Sequence, residues 1–294
     1  MNWDDLKYFL AVARDGQFLS AAHRLGVSQA TLNRRVSGLE AKLETQLFNR
    51  STTGCELTAQ GVALMERAER IEAETLQISS TLSGPETEVS GTIRIGAPDG
   101  FGVAFLAPRL HLLTAKFPKL SVQLVPMPRN FSLSQREADI AVTIGRPEKG
   151  RLRAQKLTDY SLGLYASKSY LATKGTPQTL EALNEHQLVG YVEDLIFTPA
   201  LNFSTQFLSN WQSTIEVSSA LGQFEVVRAG GGIGILHDFM VPTASELVPV
   251  LPDERLSRSY WTVWHEDLKN SQRVKEVARF LNEVVQEDRK LFSL

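Results

Sequence analysis

Apolar residues recur through the first sixty positions at the three- and four-residue steps of short helices, and single glycines interrupt them. Trp3, Leu6, Phe9, Leu10 and Ala13 share one helical face, and Gly16 follows where a C-cap glycine belongs. Ser20 is placed to cap a second helix whose inward residues are Ala21, Ala22 and Leu25. Gly26 ends it, Val27 plugs the corner, and Ser28 caps a third helix with the buried face Leu32, Val36, Leu39 and Leu43. Small residues at 21 and 22 let two helices cross closely, and a glycine allows the left-handed turn between them. The pattern is a helix-turn-helix. LFNR, STTG and CELT then read as two short strands around a turn, a wing, with Leu47 and Phe48 as core, so a first domain is expected over residues 1–57.

From Thr58, a plausible N-cap, the period changes. Leu64, Ala68, Ile71, Thr75, Ile78 and Leu82 follow at steps of four, three, four, three and four. That is a heptad seam, which predicts pairing with the same helix of a second copy, while Glu66, Arg67, Glu69, Arg70, Glu72 and Glu74 stay solvated. The alternative is an amphipathic helix packed on its own domain. SGPETEVSG, residues 83–91, is polar with one proline and two glycines and marks a hinge, which makes 58–90 a linker helix plus boundary.

Beyond residue 91 apolar strand-like runs alternate with helical patterns. TIRIGAP, SVQLVPM and DIAVTIG are strands, with the helix VAFLAPRLHLLTAKF between the first two. A second set follows: LGLYAS, QLVGYV, TIEVSS and GIGIL as strands, FEVVRAG as a helix running into the glycines 230–232, then YWTVWHE and the amphipathic helix SQRVKEVARFLNEVVQ. Two α/β units leave a crevice between them, and ligands of open α/β sheets bind outside the carboxyl ends of the strands. The predicted units are residues about 91–161 with 266–294, and about 162–265.

Composition narrows the classes. The 294 residues are 43% hydrophobic and 22% charged, the make-up of an ordinary globular protein of about two domains. No run of about 18 apolar residues occurs, and MNWDDLKYFL carries acids where a secretory signal needs bases, so the expected location is the cytoplasm and no membrane role is expected. One cysteine and five scattered histidines give no disulfide, no metal-site spacing and no implied cofactor. No GxSxG and no matched nucleophile, base and acid stand out, which predicts a non-enzyme. The formal charge of −2 denies the whole chain the character of a non-specific nucleic-acid coat, yet residues 20–55 hold Arg24, Arg34, Arg35, Lys42 and Arg50 against only Glu40 and Glu44. The head is locally basic.

That local charge gives the third helix a purpose. Gln29, Thr31, Asn33 and Arg34 lie away from Leu32 and Val36, the edge that enters a DNA major groove. Asn or Gln pairs with adenine and Arg with guanine through two hydrogen bonds each. Arg35 either reaches a phosphate or is solvated, and Ser28 caps the helix. Glycines 230–232, without the Lys-Ser/Thr of a P-loop, form a tight turn, and Asp139 is a strand-start residue.

Over its whole length the chain resembles the LysR-type transcriptional regulators, most densely in FLAVARDGQFLSAAHRLGVSQATLNRRVSGLEAKLETQLFNR and LTAQG, with echoes in GTIRIGAP, ADIAV and GGGIGIL. The resemblance implies an α+β multidomain fold: an N-terminal winged helix-turn-helix, a long dimerising linker helix, and a C-terminal two-subdomain α/β effector domain of periplasmic-binding-protein type. It implies a homodimer or homotetramer on an interrupted inverted repeat of double-stranded DNA, RNA polymerase as a partner if the protein activates, and wing residues Arg50 and Thr53 near the flanking groove or backbone. Where the family commonly has serine and proline in the third helix, this chain has Asn33 and Ala30. The loop PDGFG stands where many relatives place a serine or threonine that holds a carboxylate, and His237 replaces a common proline.

Candidates for the effector crevice are Pro98, Asp99, Gly100 and Phe101; Met127 and Arg129; Gly145 and Arg146; and Phe197, Leu201 and Phe203. Arg129 and Arg146, at predicted strand ends, suggest a small organic acid as the effector, with Asp99 as a counter-argument. Two other functions fit the same features less fully: an effector-independent repressor, and a solute-binding module.

Overall fold

The structure is a computed structural model that describes residues 2–50, 54–82, 89–127, 138–147, 150–196 and 201–292. The head begins with α1 (Trp3–Asp15), α2 (Phe18–Leu25) and α3 (Gln29–Leu43). Asn2 and Asp5 satisfy each other's backbone amides at the start of α1, which accounts for its sharp onset. Gly16 and Gly26 close α1 and α2 at φ of 64° and 67°, a left-handed geometry that a side chain opposes. Ser20, expected to cap α2, lies inside it instead. The helix starts two residues earlier because the Gln17 carbonyl already accepts from the Ala21 amide, and Phe18 packs its ring edge-on against Phe48. Ser28 does cap α3, accepting from the Thr31 amide at 3.2 Å.

Leu32, Val36 and Leu39 are fully buried against Phe9, Leu10, Ala21, Ala22, Leu47 and Phe48, and each such side chain contributes roughly 1.5–3 kcal/mol. Leu43 packs at the edge of this core, only partly buried. Strands β1 (Phe48–Arg50) and β2 (Cys55–Leu57) form the antiparallel wing. Glu40 of α3 anchors it by accepting the Leu47 and Phe48 amides at 2.9 and 3.3 Å. Cys55 is buried there, and burial pushes its thiol up, which leaves it unreactive.

Helix α4 (Ala59–Leu82) follows, its first turn tied by the Thr58 hydroxyl to the Gly61 amide at 3.0 Å. It belongs to the same compact unit as the head, and a second unit begins at Thr87. The expected intermolecular seam is corrected at its start. Ala68 is fully buried in the head's own core, with Leu64 packed beside it, because α4 lies along α1. Glu69 and Glu72, expected in solvent, instead turn toward Arg14 of α1, at 3.6 and 2.8 Å. Ile71 is exposed at 42%, and the Thr75 hydroxyl bonds back to its carbonyl. The side chains of Ile78 and Leu82 lie outside the described residues.

The second unit is built on one eight-stranded sheet among the described residues. Its strands are β3 (Gly91–Pro98), β4 (Leu120–Met127), β5 (Ile140–Ile144), β6 (Leu152–Ser167), β7 (Leu188–Gly190), β8 (Ile215–Glu216), β9 (Ile233–His237) and β10 (Leu247–His265). Their spatial order is β4-β3-β5-β10-β6-β9-β7-β8. β3, β4 and β5 run parallel at one end, and β9, β7 and β8 at the other; antiparallel β10 and β6 join the two groups. The boundaries expected at 161 and 265 therefore fall within β6 and at the end of β10, not in connectors. The helices are α5 (Leu110–Lys116), α6 (Lys168–Lys174), α7 (Ser204–Phe207), α8 (Ala220–Arg228) and α9 (Gln272–Glu287). Only the ends of the two long strands, LGLYAS and YWTVWHE, were legible. Their other halves are polar at many positions because they are only partly covered. The glycines 230–232 form the expected turn from α8 into β9, and Asp139 accepts the Arg94 amide at 2.7 Å at the start of β5.

Candidate nucleic-acid interface and ligand cavity

The buried face of α3 leaves its opposite edge free. Gln29 and Arg34 are exposed, and among the described residues Arg34 makes no ion pair. Asn33 and Thr31 are half-buried, and the Thr31 hydroxyl lies 2.9 Å from that of Ser28, at the helix start. Arg35 leans back toward α1, 3.9 Å from Asp5 and over the Tyr8 ring. Asp5 is buried and its carboxyl is held below the usual range, chiefly by the Lys42 ammonium at 2.9 Å. α1 and α3 are thus clamped on the side away from the reading edge.

Arg50 is placed differently from a free phosphate contact. Its guanidinium donates to Asn33 Oδ1 at 3.3 Å, to the Ser37 hydroxyl at 3.2 Å and to Glu40 at 3.3 Å, and it lies over Phe18. A guanidinium only donates, so the Asn33 carbonyl must face it and the amide orientation is fixed. Arg50 and Glu40 together tie the wing to the reading helix. Glu40, which holds both the wing amides and Arg50, was missed in the sequence because a lone glutamate on a helix reads as solvated. Thr53 lies outside the described residues.

In the second unit, PDGFG is not a loop. Asp99 opens a helical segment continued by a π-helical stretch, Gly100–Leu106. Phe101, expected to line a crevice, is fully buried, with its ring 4.9 Å from that of Tyr260 and 5.2 Å from that of Phe105. A helix starting here turns that side chain into the core. Gly100 is buried too; a Cβ on it would meet Ala220, Met240 and His237. Tyr160 stacks on Tyr260 at 4.0 Å and on His237 at 5.4 Å, so aromatic rings fill the middle of the sheet face. Burial pulls His237 down to about 4, which keeps it neutral.

Asp99 and Ser219 together close the N-terminus of α8: Asp99 accepts from the Ser219 hydroxyl at 2.5 Å and the Leu221 amide at 3.3 Å, and Ser219 accepts from Gly222. Pro98 ends β3, half-buried. Gly145 takes φ of 77° after β5, and the neighbouring Arg146 is exposed over the Trp261 ring at 5.7 Å. The side chain of Met127 and all of Arg129 and Phe197 lie outside the described residues.

Two candidates do come together. Leu201 and Phe203 are walls of a cavity of about 320 Å³ at the ends of β7 and β8, with Tyr191, Trp211, Glu216 and Gln223 among the others. That volume suits a small organic molecule. The sequence hid these residues because they come from weak strands and connectors spread over 189–235.

Comparison with known proteins finds a family match for each of the two units. Residues 3–62 match the family model described as a bacterial regulatory helix-turn-helix protein of the lysR family, and residues 86–286 match the LysR substrate binding domain. The regulator CrgA of Neisseria meningitidis serogroup C is 28% identical over 96% of this chain and 96% of its own. The activator TtdR of Escherichia coli K12 is 29% identical over 94% and 91%. The solved structure of CrgA from Neisseria meningitidis superposes with a TM-score of 0.59 at 27% identity, covering 96% of this chain and 98% of that one.

Proposed function

The chain belongs to the LysR family of transcriptional regulators, and from that premise we propose that α3 reads an interrupted inverted repeat while a small molecule in the C-terminal unit adjusts that binding. The observation that carries the reading is the two-sided character of α3. Leu32, Val36 and Leu39 hold it rigidly, Gln29 and Arg34 are left facing outward, and Asn33 sits beside them, half-buried and oriented by Arg50. A rigid scaffold behind a polar edge is what base recognition requires, because each misplaced hydrogen bond leaves a polar group desolvated and unpaired.

Assembly follows from the same geometry. Two half-sites call for two heads, and the exposed Ile71 on the far part of α4 supports pairing with a second copy, as a homodimer or a pair of dimers. Contact with RNA polymerase follows only if the protein activates. The cavity favours effector control over an effector-independent repressor, since a formed cavity of this size has a lining to satisfy. The organic-acid expectation rests on Arg129, which lies outside the described residues, and on Arg146, which is exposed over Trp261. Among the described residues no helix is long and apolar enough to cross a membrane, and a DNA regulator acts in the cytoplasm. Regulation here assigns no turnover.

The test is binding of the full chain to the DNA upstream of its own coding sequence, with and without a panel of metabolites. A footprint over two half-sites that shifts with one metabolite is expected. Uniform coverage of any duplex would contradict the reading.

A further inference from the structure

We propose that the cavity of the C-terminal unit takes a small organic cation, an amine or quaternary ammonium compound, and rejects organic acids. The proposal rests on reading this unit as the effector-binding part of the chain. Among the described residues its wall carries two carboxylates, Glu193 and Glu216, both exposed, and no lysine, arginine or histidine. An anion entering here would meet two like charges and, among the described wall residues, no cation to offset them.

The uncharged groups point the same way. Tyr191, Phe203 and Trp211 put aromatic rings in the wall, and a cation is drawn to a ring face by its quadrupole. Gln223 is 3% exposed and forms part of the wall. Its Nε2 donates to the Val217 carbonyl at 2.9 Å, which makes Oε1 the acceptor end of the amide. The Trp211 indole N–H is already spent on Ser213 at 3.1 Å and offers an anion nothing.

Among the described residues, the helix N-terminus beside the cavity is closed to an anion. The N-terminus of α8, where backbone amides welcome negative charge, is occupied by the chain's own Asp99 carboxylate. Arg258 lies over Phe203 at 5.7 Å and donates to the Ser257 carbonyl, so this cation is held along β10 and is not part of the cavity wall.

The experiment is calorimetry on the full-length protein with putrescine, choline and tetramethylammonium, set against succinate and benzoate. Operator affinity is measured in parallel. Saturable binding of at least one cation is expected, weakened about tenfold or more in Glu193→Gln and in Glu216→Gln, both of which should melt like the parent. Binding of no cation, equal binding by both variants, or binding of succinate or benzoate in their place overturns the proposal. A cation that binds, and is lost in the variants, while operator affinity stays fixed supports the cavity chemistry and contradicts effector control instead.

Discussion

The two units of the chain present polar chemistry in opposite senses. In the head, donors and cations face outward from a helix whose other side is locked: Arg34 has no ion pair among the described residues, and Gln29 is exposed. In the C-terminal unit, the Gln223 amide and two exposed carboxylates line a cavity whose described wall holds no lysine, arginine or histidine. An outward donor edge suits a long anionic polymer that brings its own shape. A cavity lined in this way suits a small molecule that must be surrounded. The difference shows how one chain of near-neutral net charge serves two ligands of opposite charge.

The largest effect should come from breaking the pairing that lets two heads act together. Ile71→Glu places a charge on the exposed part of α4, and loss of the paired state should lower operator affinity by about 10²- to 10⁴-fold while ligand calorimetry is unchanged. Sedimentation that shows the same oligomer as the parent would remove this part of the account, leaving α4 packed only on α1.

The second break uses acid. His237 titrates at about 4 in the fold and near 6.5 when unfolded, so the unfolded chain binds the extra proton first as pH falls. The C-terminal unit should therefore keep its His237-linked stability above pH 6.5 and lose up to about 3 kcal/mol of it between pH 6.5 and 4. Urea unfolding across that range is the measurement. In His237→Phe the slope should flatten, and the head's unfolding should not follow it.

A third prediction sharpens the head. Asn33→Ala or Arg34→Ala should cost about 1–3 kcal/mol of specific binding and relax preference at particular base pairs. Because Arg50 fixes the Asn33 amide, Arg50→Ala should relax the same base pair as Asn33→Ala, and the double variant should be less than additive. Equal weakening on all sequences would return Arg50 to the role of a phosphate contact. The smallest effect belongs to Arg146→Ala: its guanidinium is exposed over Trp261, so ligand affinity should change by less than about 0.5 kcal/mol.

Legibility differed for a physical reason. The head's turn, reading edge and wing are set by residues within a few turns of each other, so Gly26, Ser28 and the Leu32, Val36, Leu39 stripe could be read directly. Ser20 misled because its hydroxyl resembles a cap, whereas packing of Phe18 fixed the start of α2. The heptad in α4 misled at Ala68, since a period of 3.5 says that a partner helix exists but not that it is α1 of the same chain. The cavity was barely legible. Leu201 and Phe203 were found as apolar residues near strand ends, but Phe101 went to the core because a helix begins at Asp99, and Tyr191 and Glu216 share the cavity only because β7 pairs with β8. Long-range strand order leaves no short-range trace.

Sequence reading by α3 is the central claim, and one equilibrium measurement tests it most directly. Duplexes are selected from a random pool by the full-length protein, and affinity for the best is compared with that for random duplex at one salt concentration. The account predicts a preference of about 10³-fold or more, reduced sharply in Asn33→Ala. Equal affinity for the two duplexes, unaltered by Asn33→Ala, would contradict it.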